Sequence, residues 1–226
     1  MSEIVVAGVS HRYGEREVLR GIDLRLIEHR IGIVGANGSG KSTLARMING
    51  LVAPSRGRVT VDGYDAVRQG REVRRRVGFV FTDPDNQIVM PTVAEDLAFS
   101  LRRRRLPKDE TAQRVEQVLQ RFGLAGHADH PTHLLSGGQK QLLALAAVMI
   151  ADPRVVVADE PTTLLDLRNA RLVHGLLSEL SAQVVLVTHH LDLLAGWDRA
   201  ILVDDGRIVA DDVPERTVAA YRELMT

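Results

Sequence analysis

One stretch constrains the fold of this chain more than any other. Gly35-Ala36-Asn37-Gly38-Ser39-Gly40-Lys41-Ser42 fits the spacing G-x-x-x-x-G-K-[ST]. It follows a short apolar run at 31–35 and precedes a helical pattern over 41–49, with Gly50 placed as the helix stop. Gly35, Gly38 and Gly40 allow successive backbone N–H groups to turn inward around phosphate oxygens without Cβ clashes. The helix N-terminus adds a partial positive charge. Lys41 is expected to reach the β- and γ-phosphates, and the Ser42 hydroxyl to ligate Mg²⁺. Asn37, Ser39 and Thr43 complete the expected ATP-binding set. The bland alternative, a glycine-rich turn that binds nothing, is opposed by the strand, the helix and the Lys-Ser pair occurring together.

A second element points the same way. Four apolar residues at 155–158 are followed by Asp159 and Glu160. A buried strand that delivers acids at its C-terminal end puts them where α/β sheets bind ligands. Asp159 is expected to hold Mg²⁺, directly or through water. Glu160 should point differently because strand side chains alternate, and is the candidate general base. By itself the pair could be a solvated acidic turn; beside a phosphate loop that reading weakens. Leu135-Ser136-Gly137-Gly138-Gln139 adds a second anion site, with Ser136 as helix N-cap and two glycines exposing backbone N–H groups. A monomer binding one ATP does not need two phosphate cradles. A head-to-tail dimer, each subunit closing over its partner's ATP, uses both.

The surrounding pattern alternates. β-rich runs occupy 4–9 and 17–27 with a turn at Gly14, and further strands are predicted at 58–61, 77–81, 184–187, 200–203 and 207–209. Asp205-Gly206 is a hairpin signal between the last two. Helices are predicted from about 92 to 122 with a break at Leu106-Pro107, and at 139–150, 167–180 and 191–195. Asp109 is the expected N-cap after the break. The order implies an α/β fold with a mostly parallel sheet and an inserted helical block. Lys plus Arg and Asp plus Glu both number 29, a balance unlike that of a nucleic-acid binder. Cysteine is absent, so disulfides and Cys-ligated metals are excluded. No apolar stretch approaches the roughly 18 residues of a membrane span, and no signal-peptide pattern opens the chain. Any membrane role is expected to come from docking.

L-S-G-G-Q is the signature of ATP-binding cassette (ABC) ATPases, and the chain resembles that family along essentially its whole length. The resemblance implies a phosphate-loop NTPase fold: one ABC ATPase domain over 1–226, with a mostly parallel core sheet and an N-terminal antiparallel β-subdomain. The core would comprise 1–85 and 151–226, and the helical signature subdomain 86–150. ATP and Mg²⁺ are the implied cofactors. Tyr13 matches the aromatic that stacks on adenine. Gln87 matches the glutamine that senses Mg²⁺, Asp166 the aspartate of the dimer-contact loop, and His189 the histidine that contacts the γ-phosphate. Glu160, His189, Gln87 and Lys41 form the implied catalytic set, Ser42, Gln87 and Asp159 the implied metal set. Ser136, Gly137, Gly138 and Gln139 would act on the partner's ATP. Singly these matches are weak; their joint order raises them. Leu164 stands where the family commonly has a small residue, and His190 where it often has aspartate.

A narrower resemblance lies in Phe81-Thr82-Asp83-Pro84-Asp85-Asn86-Gln87 and Thr92-Val93-Ala94-Glu95-Asp96-Leu97-Ala98-Phe99. It is similar to the ATPases of energy-coupling-factor (ECF) importers of vitamins and metal ions. That resemblance implies a dimer with itself or a second ABC ATPase, an integral-membrane coupling (T) protein and a substrate-binding (S) membrane protein. The subunit would sit peripherally on the cytoplasmic face of the cell membrane, with no nucleic-acid partner. Glu95 and Asp96 could pair with arginines of the coupling protein, or simply form an acidic first helical turn. The compact form, together with Leu26-Ile27-Glu28-His29-Arg30-Ile31-Gly32-Ile33-Val34-Gly35, resembles the biotin-importer branch. Arg74–Arg76 and the run at 102–105 read as solvated surface, the second with a possible affinity for anionic headgroups. The competing class is a soluble ABC ATPase, such as one of iron–sulfur cluster assembly.

Overall fold

The first two strands, β1 (Ile4–Tyr13) and β2 (Arg16–Leu26), pair antiparallel around the turn at Gly14. Ile4 and Val6 are buried, then Val9 and His11, so the inward phase shifts by one residue at Gly8. Gly8 has φ +57°, and the pairing register slips there: a bulge that bends the strand while keeping apolar side chains inside. With β4 (Arg56–Val61) and β5 (Tyr64–Asp65) these strands form a sheet of order β2-β1-β4-β5. The computed structural model describes residues 2–226.

The second sheet has the order β10-β9-β3-β8-β7-β6. It comprises β3 (Arg30–Val34), β6 (Val77–Val80), β7 (Val155–Asp159), β8 (Gln183–Val187), β9 (Arg199–Asp204) and β10 (Arg207–Asp212). β3 runs parallel to β8 and β9, and β7 parallel to β8; β10 returns antiparallel on the edge. Every residue of β3, β7 and β8 is buried, the pattern of strands covered on both faces. The mostly parallel sheet and the antiparallel N-terminal sheet agree with the sequence expectation. Burial at the start of β3 includes Arg30, whose guanidinium donates to the carbonyls of Ser178, Leu180 and Ala182. Ser178 is the last residue of α6 (Leu167–Ser178) and the other two lie just beyond it, so a buried cation satisfies a helix end.

The chain divides into two compact units. The first holds Met1–Phe79, Arg154–Glu160 and Leu177–Thr226, with both sheets' core and α1 (Lys41–Ile48). The second holds Val80–Pro153 and Pro161–Leu176, with α3 (Val93–Leu101), α4 (Lys108–Arg121) and α5 (Gly137–Met149). Two helices were not legible in the sequence. α2 (Gly70–Val73) is a single turn, and α7 (Pro214–Leu224) buries only Pro214 and Thr217. The Thr217 hydroxyl donates to the Ala200 carbonyl on β9, which ties α7 to the sheet edge. Asp109 does not cap α4. Pro107 takes that position, needing no N–H partner and already extended at φ −54°, ψ 152°, and Asp109 lies in the first turn. Among the described residues no helix is long and apolar enough to cross a membrane.

Candidate nucleotide site

The loop between β3 and α1 is shaped by its glycines. Gly35 has φ +145°, and a Cβ there would fall 2.0 Å from the Val203 carbonyl oxygen. Gly40 has φ +107°, with a Cβ position 2.8 Å from the Val18 carbonyl oxygen. The chain passes too close to its neighbours for any side chain. Gly38, also left-handed, and Asn37 face solvent at the loop crest. Ser39 is buried under it, and Thr43 is half-buried in the first turn of α1. α1 begins without a side-chain cap, whereas α3 and α5 each begin with a full capping box. A helix N-terminus left uncapped beneath a glycine loop is an anion cradle.

Lys41 occupies the inside of that loop. Its ammonium donates to the carbonyls of Gly35 at 2.7 Å and Ala36 at 2.8 Å. Burial lowers its pKa, while Glu160 and Asp159 oppose that shift. Ser42 donates its hydroxyl hydrogen to Asp159 Oδ1 at 2.7 Å, and Arg46 Nη2 lies 3.3 Å from Asp159 Oδ2. Asp159 ends β7 with its side chain 1% exposed. Burial raises its pKa, partly offset by Ser42 and Arg46. With its hydrogen directed at Asp159, the Ser42 oxygen keeps its lone pairs for a cation. Two hard oxygen donors side by side next to an anion cradle fit Mg²⁺.

Glu160 leaves the strand by a route that alternation does not foresee. Its φ is +52°, in the left-handed region, while its N–H still pairs with the Val187 carbonyl. That strained turn, not a further pleat, aims the carboxylate at His189, with Nδ1 and Oε2 2.8 Å apart. A carboxylate only accepts, so the shared hydrogen belongs to His189 Nδ1. His189 follows β8, and the His190 ring packs against it at 4.1 Å between centroids. His190, unassigned from sequence, thus backs the imidazole that Glu160 holds. Tyr13 ends β1 half-exposed, its ring set edge-on to His11 at 4.5 Å.

The second unit carries the remaining sequence candidates. Ser136 caps α5: its hydroxyl accepts from Gln139 N–H at 3.3 Å, and Gln139 Oε1 accepts from Ser136 N–H at 2.8 Å. Gly137 has open space, but a Cβ on Gly138 would sit 2.6 Å from Asn169 Nδ2. Asn169 is fixed in turn by Asp166, which accepts from its backbone N–H at 2.8 Å and its side chain at 3.1 Å. Gly138 is therefore required by close approach rather than by backbone angle. Gln139 Nε2 also donates to His127 Nε2 at 2.8 Å, a contact that no sequence signal announced. Gln87 is engaged inside its own unit, donating to the Ala144 carbonyl at 2.7 Å and accepting from Phe81 N–H at 3.3 Å. Asp85 beside it pairs with Lys140 at 2.7 Å. Asp96 is not available to a partner's arginine: it is buried and accepts from the N–H groups of Val89 and Met90. Glu95 completes the Thr92 capping box. The helical-turn reading of these two acids is the one the geometry bears out. Arg104 folds back to the Ala151 carbonyl, and Arg102, Arg103 and Arg105 are exposed.

The chain is similar to known proteins along most of its length. Residues 19–163 match the ABC transporter family. A putative ABC transporter ATP-binding protein of Deinococcus radiodurans is 52% identical over 218 residues, covering 96% of each chain. The biotin transport ATP-binding protein BioM of Rhizobium etli is 44% identical over 218 residues, again 96% of each. The energy-coupling factor transporter ATP-binding protein EcfA1 of Symbiobacterium thermophilum is 40% identical over 96% of this chain and 81% of its own. Among solved structures, cbiO1 of Clostridium perfringens, part of the ABC transporter complex cbiONQ, superposes with a TM-score of 0.84. It is 32% identical over 98% of this chain and 92% of its own. The chain belongs to the ABC transporter family and is one of its ATPases.

Proposed function

We propose that this chain is the ATP-hydrolysing subunit of an ECF-type importer, that it works as a head-to-tail dimer with Mg²⁺ bound at Ser42 and Asp159, and that biotin is the cargo. The observation that supports the dimer is a pair of helix starts, an uncapped one at α1 beneath the glycine loop and one at α5 where Gly137 and Gly138 follow the Ser136 cap. The cargo rests on the name of the biotin-transport relative. The ECF class rests on the EcfA1 and cbiO1 relatives together with Asp85-Asn86-Gln87 and the helix beginning at Val93. Iron–sulfur assembly, the soluble alternative, has no observation in its favour.

In this reading Ser42 and Asp159 would hold Mg²⁺, which would supply positive charge against the phosphates. Lys41 exchanges the carbonyls of Gly35 and Ala36 for phosphate oxygens, an exchange favoured because a buried ammonium is better matched by full negative charge. Glu160, steadied by His189, takes the proton of the attacking water. Tyr13 supplies an exposed aromatic face to the base. Gln87, held by the Ala144 carbonyl and the Phe81 N–H, stands where the family has its metal-sensing glutamine, while Asp166 and the exposed Leu164 and Leu167 offer a contact surface to a second copy. Membrane partners, a T and an S protein, would hold the dimer at the cytoplasmic face.

Glu160→Gln tests the chemistry. The variant should bind ATP, run as a dimer on gel filtration with ATP, and hydrolyse it about 10² to 10⁴ times more slowly than the unsubstituted chain. Turnover at the unsubstituted rate would remove Glu160 as the base. Co-purification from detergent-solubilised membranes tests the class: small, very hydrophobic partners are expected, and soluble ones only would favour the alternative.

A further inference from the structure

Arg46 is not among the residues that the sequence singled out. It lies one helical turn beyond Ser42 on α1, so the two side chains share the face that meets the end of β7. Between them they reach both oxygens of Asp159: Ser42 Oγ is 2.7 Å from Oδ1, and Arg46 Nη2 is 3.3 Å from Oδ2. A cation in the last turn of a helix ordinarily extends toward solvent, where the macrodipole favours it. Here the guanidinium turns inward, and its Nε is buried with no partner. An unsatisfied buried N–H is tolerated only where the contact it accompanies outweighs it. That contact is with a carboxylate almost wholly removed from water, which needs a positive charge in any state that lacks a metal.

We propose that Arg46 is the counter-ion that holds Asp159 while no metal is bound, and that it weakens Mg²⁺ binding when nucleotide arrives, so that one residue sets the metal affinity of the site. The inference rests on Ser42 and Asp159 being the metal ligands. A guanidinium on Oδ2 and the Ser42 hydroxyl on Oδ1 fix the carboxylate from both sides, which orients it in advance. The same positive charge, a few ångströms from an incoming divalent ion, repels it. Arg46 is 43% exposed, so solvent screens both effects and the repulsion is moderate rather than prohibitive.

The test uses Arg46→Met, Arg46→Lys and Asp159→Asn in the full chain. Thermal melts without nucleotide in EDTA read the counter-ion role, and Mg²⁺ titrations at fixed ADP, followed by melting temperature, read the metal affinity. Arg46→Met should melt below the unsubstituted chain in EDTA, and its Mg²⁺ midpoint should fall by about three- to tenfold. Arg46→Lys keeps the charge and should stay within about twofold of the original midpoint. An unchanged or raised midpoint in Arg46→Met overturns the proposal, even if the melting temperature drops, because a merely structural arginine predicts that pair of results. Should Arg46→Met not fold, Arg46→Gln takes its place with the same two outcomes. Mg²⁺ stabilisation that survives in Asp159→Asn would instead remove the metal site itself.

Discussion

At the scale of single residues, burial and charge pull against each other at Asp159. Desolvation holds its carboxyl above the ordinary carboxylate range, so the folded protein binds that proton more tightly than the unfolded chain does. The ionised side chain therefore costs stability. That cost is absent below the unfolded pKa of about 3.9 and complete once the pH exceeds the raised folded value. Asp159→Asn keeps an acceptor for Ser42 and removes the charge. It is expected to raise the melting temperature of the nucleotide-free protein at pH 7 by a few degrees, about 1 kcal/mol in a chain of this size. The gain should shrink as the pH falls toward 4, and Mg²⁺ should no longer stabilise the variant. Differential scanning fluorimetry across that pH range checks both; a gain that grows on acidification would contradict the sign. Gly138→Ala is a second residue-scale case. Its Cβ would meet the Asn169 side chain at 2.6 Å, so Asn169 must release Asp166 or α5 must shift. ATPase activity is expected to drop, with recovery when Asn169→Ala is added; no recovery would place the effect elsewhere.

At the scale of elements, the helix starts fall into two kinds. α3 and α5 satisfy their first N–H groups with Thr92–Glu95 and Ser136–Gln139 boxes, and α1 does not. Thr92→Ala should therefore cost about 1 kcal/mol of unfolding free energy, within the usual range for a lost N-cap. Urea melts monitored by circular dichroism measure it, and an effect below the error of the fit would mean that the box contributes nothing. No comparable cap can be removed from α1, because its N-cap is Gly40. This contrast was partly legible in the sequence. Thr92 and Ser136 each precede a Glu or Gln by three residues, whereas Gly40 has no side chain to offer. Asp109 lies in the first turn of α4 rather than at its cap, because Pro107 two residues earlier takes the N-cap position. α7 is not legible in the sequence because a helix that buries only Pro214 and Thr217 shows little apolar periodicity.

At the scale of the whole molecule, the phosphate-loop motif and the signature motif lie in separate compact units of one chain. If each ATP is bound by the phosphate loop of one copy and the signature of another, two inactive variants should complement. Lys41→Ala disables the loop and Ser136→Arg the signature, and each alone should be near background. Mixed, they can form a dimer with one intact composite site, and the mixed dimers should recover up to about half of the unsubstituted activity. No recovery on mixing would mean that each copy works alone.

The family, the α/β class, the phosphate loop, the acidic strand end and the signature were all determined by sequence. Each depends on residues adjacent in the chain, where spacing and local conformation carry the chemistry. Tertiary structure decided the rest. Nothing local shows that Arg46 reaches a carboxylate 113 positions away, that His127 holds Gln139, or that Asp96 is sealed inside. Nor does strand alternation foresee that Glu160 turns through a left-handed angle to meet His189. The phosphate loop was visible because backbone N–H groups and glycines act over a few residues. The charges that tune it come from distant segments, brought within a few ångströms by packing alone.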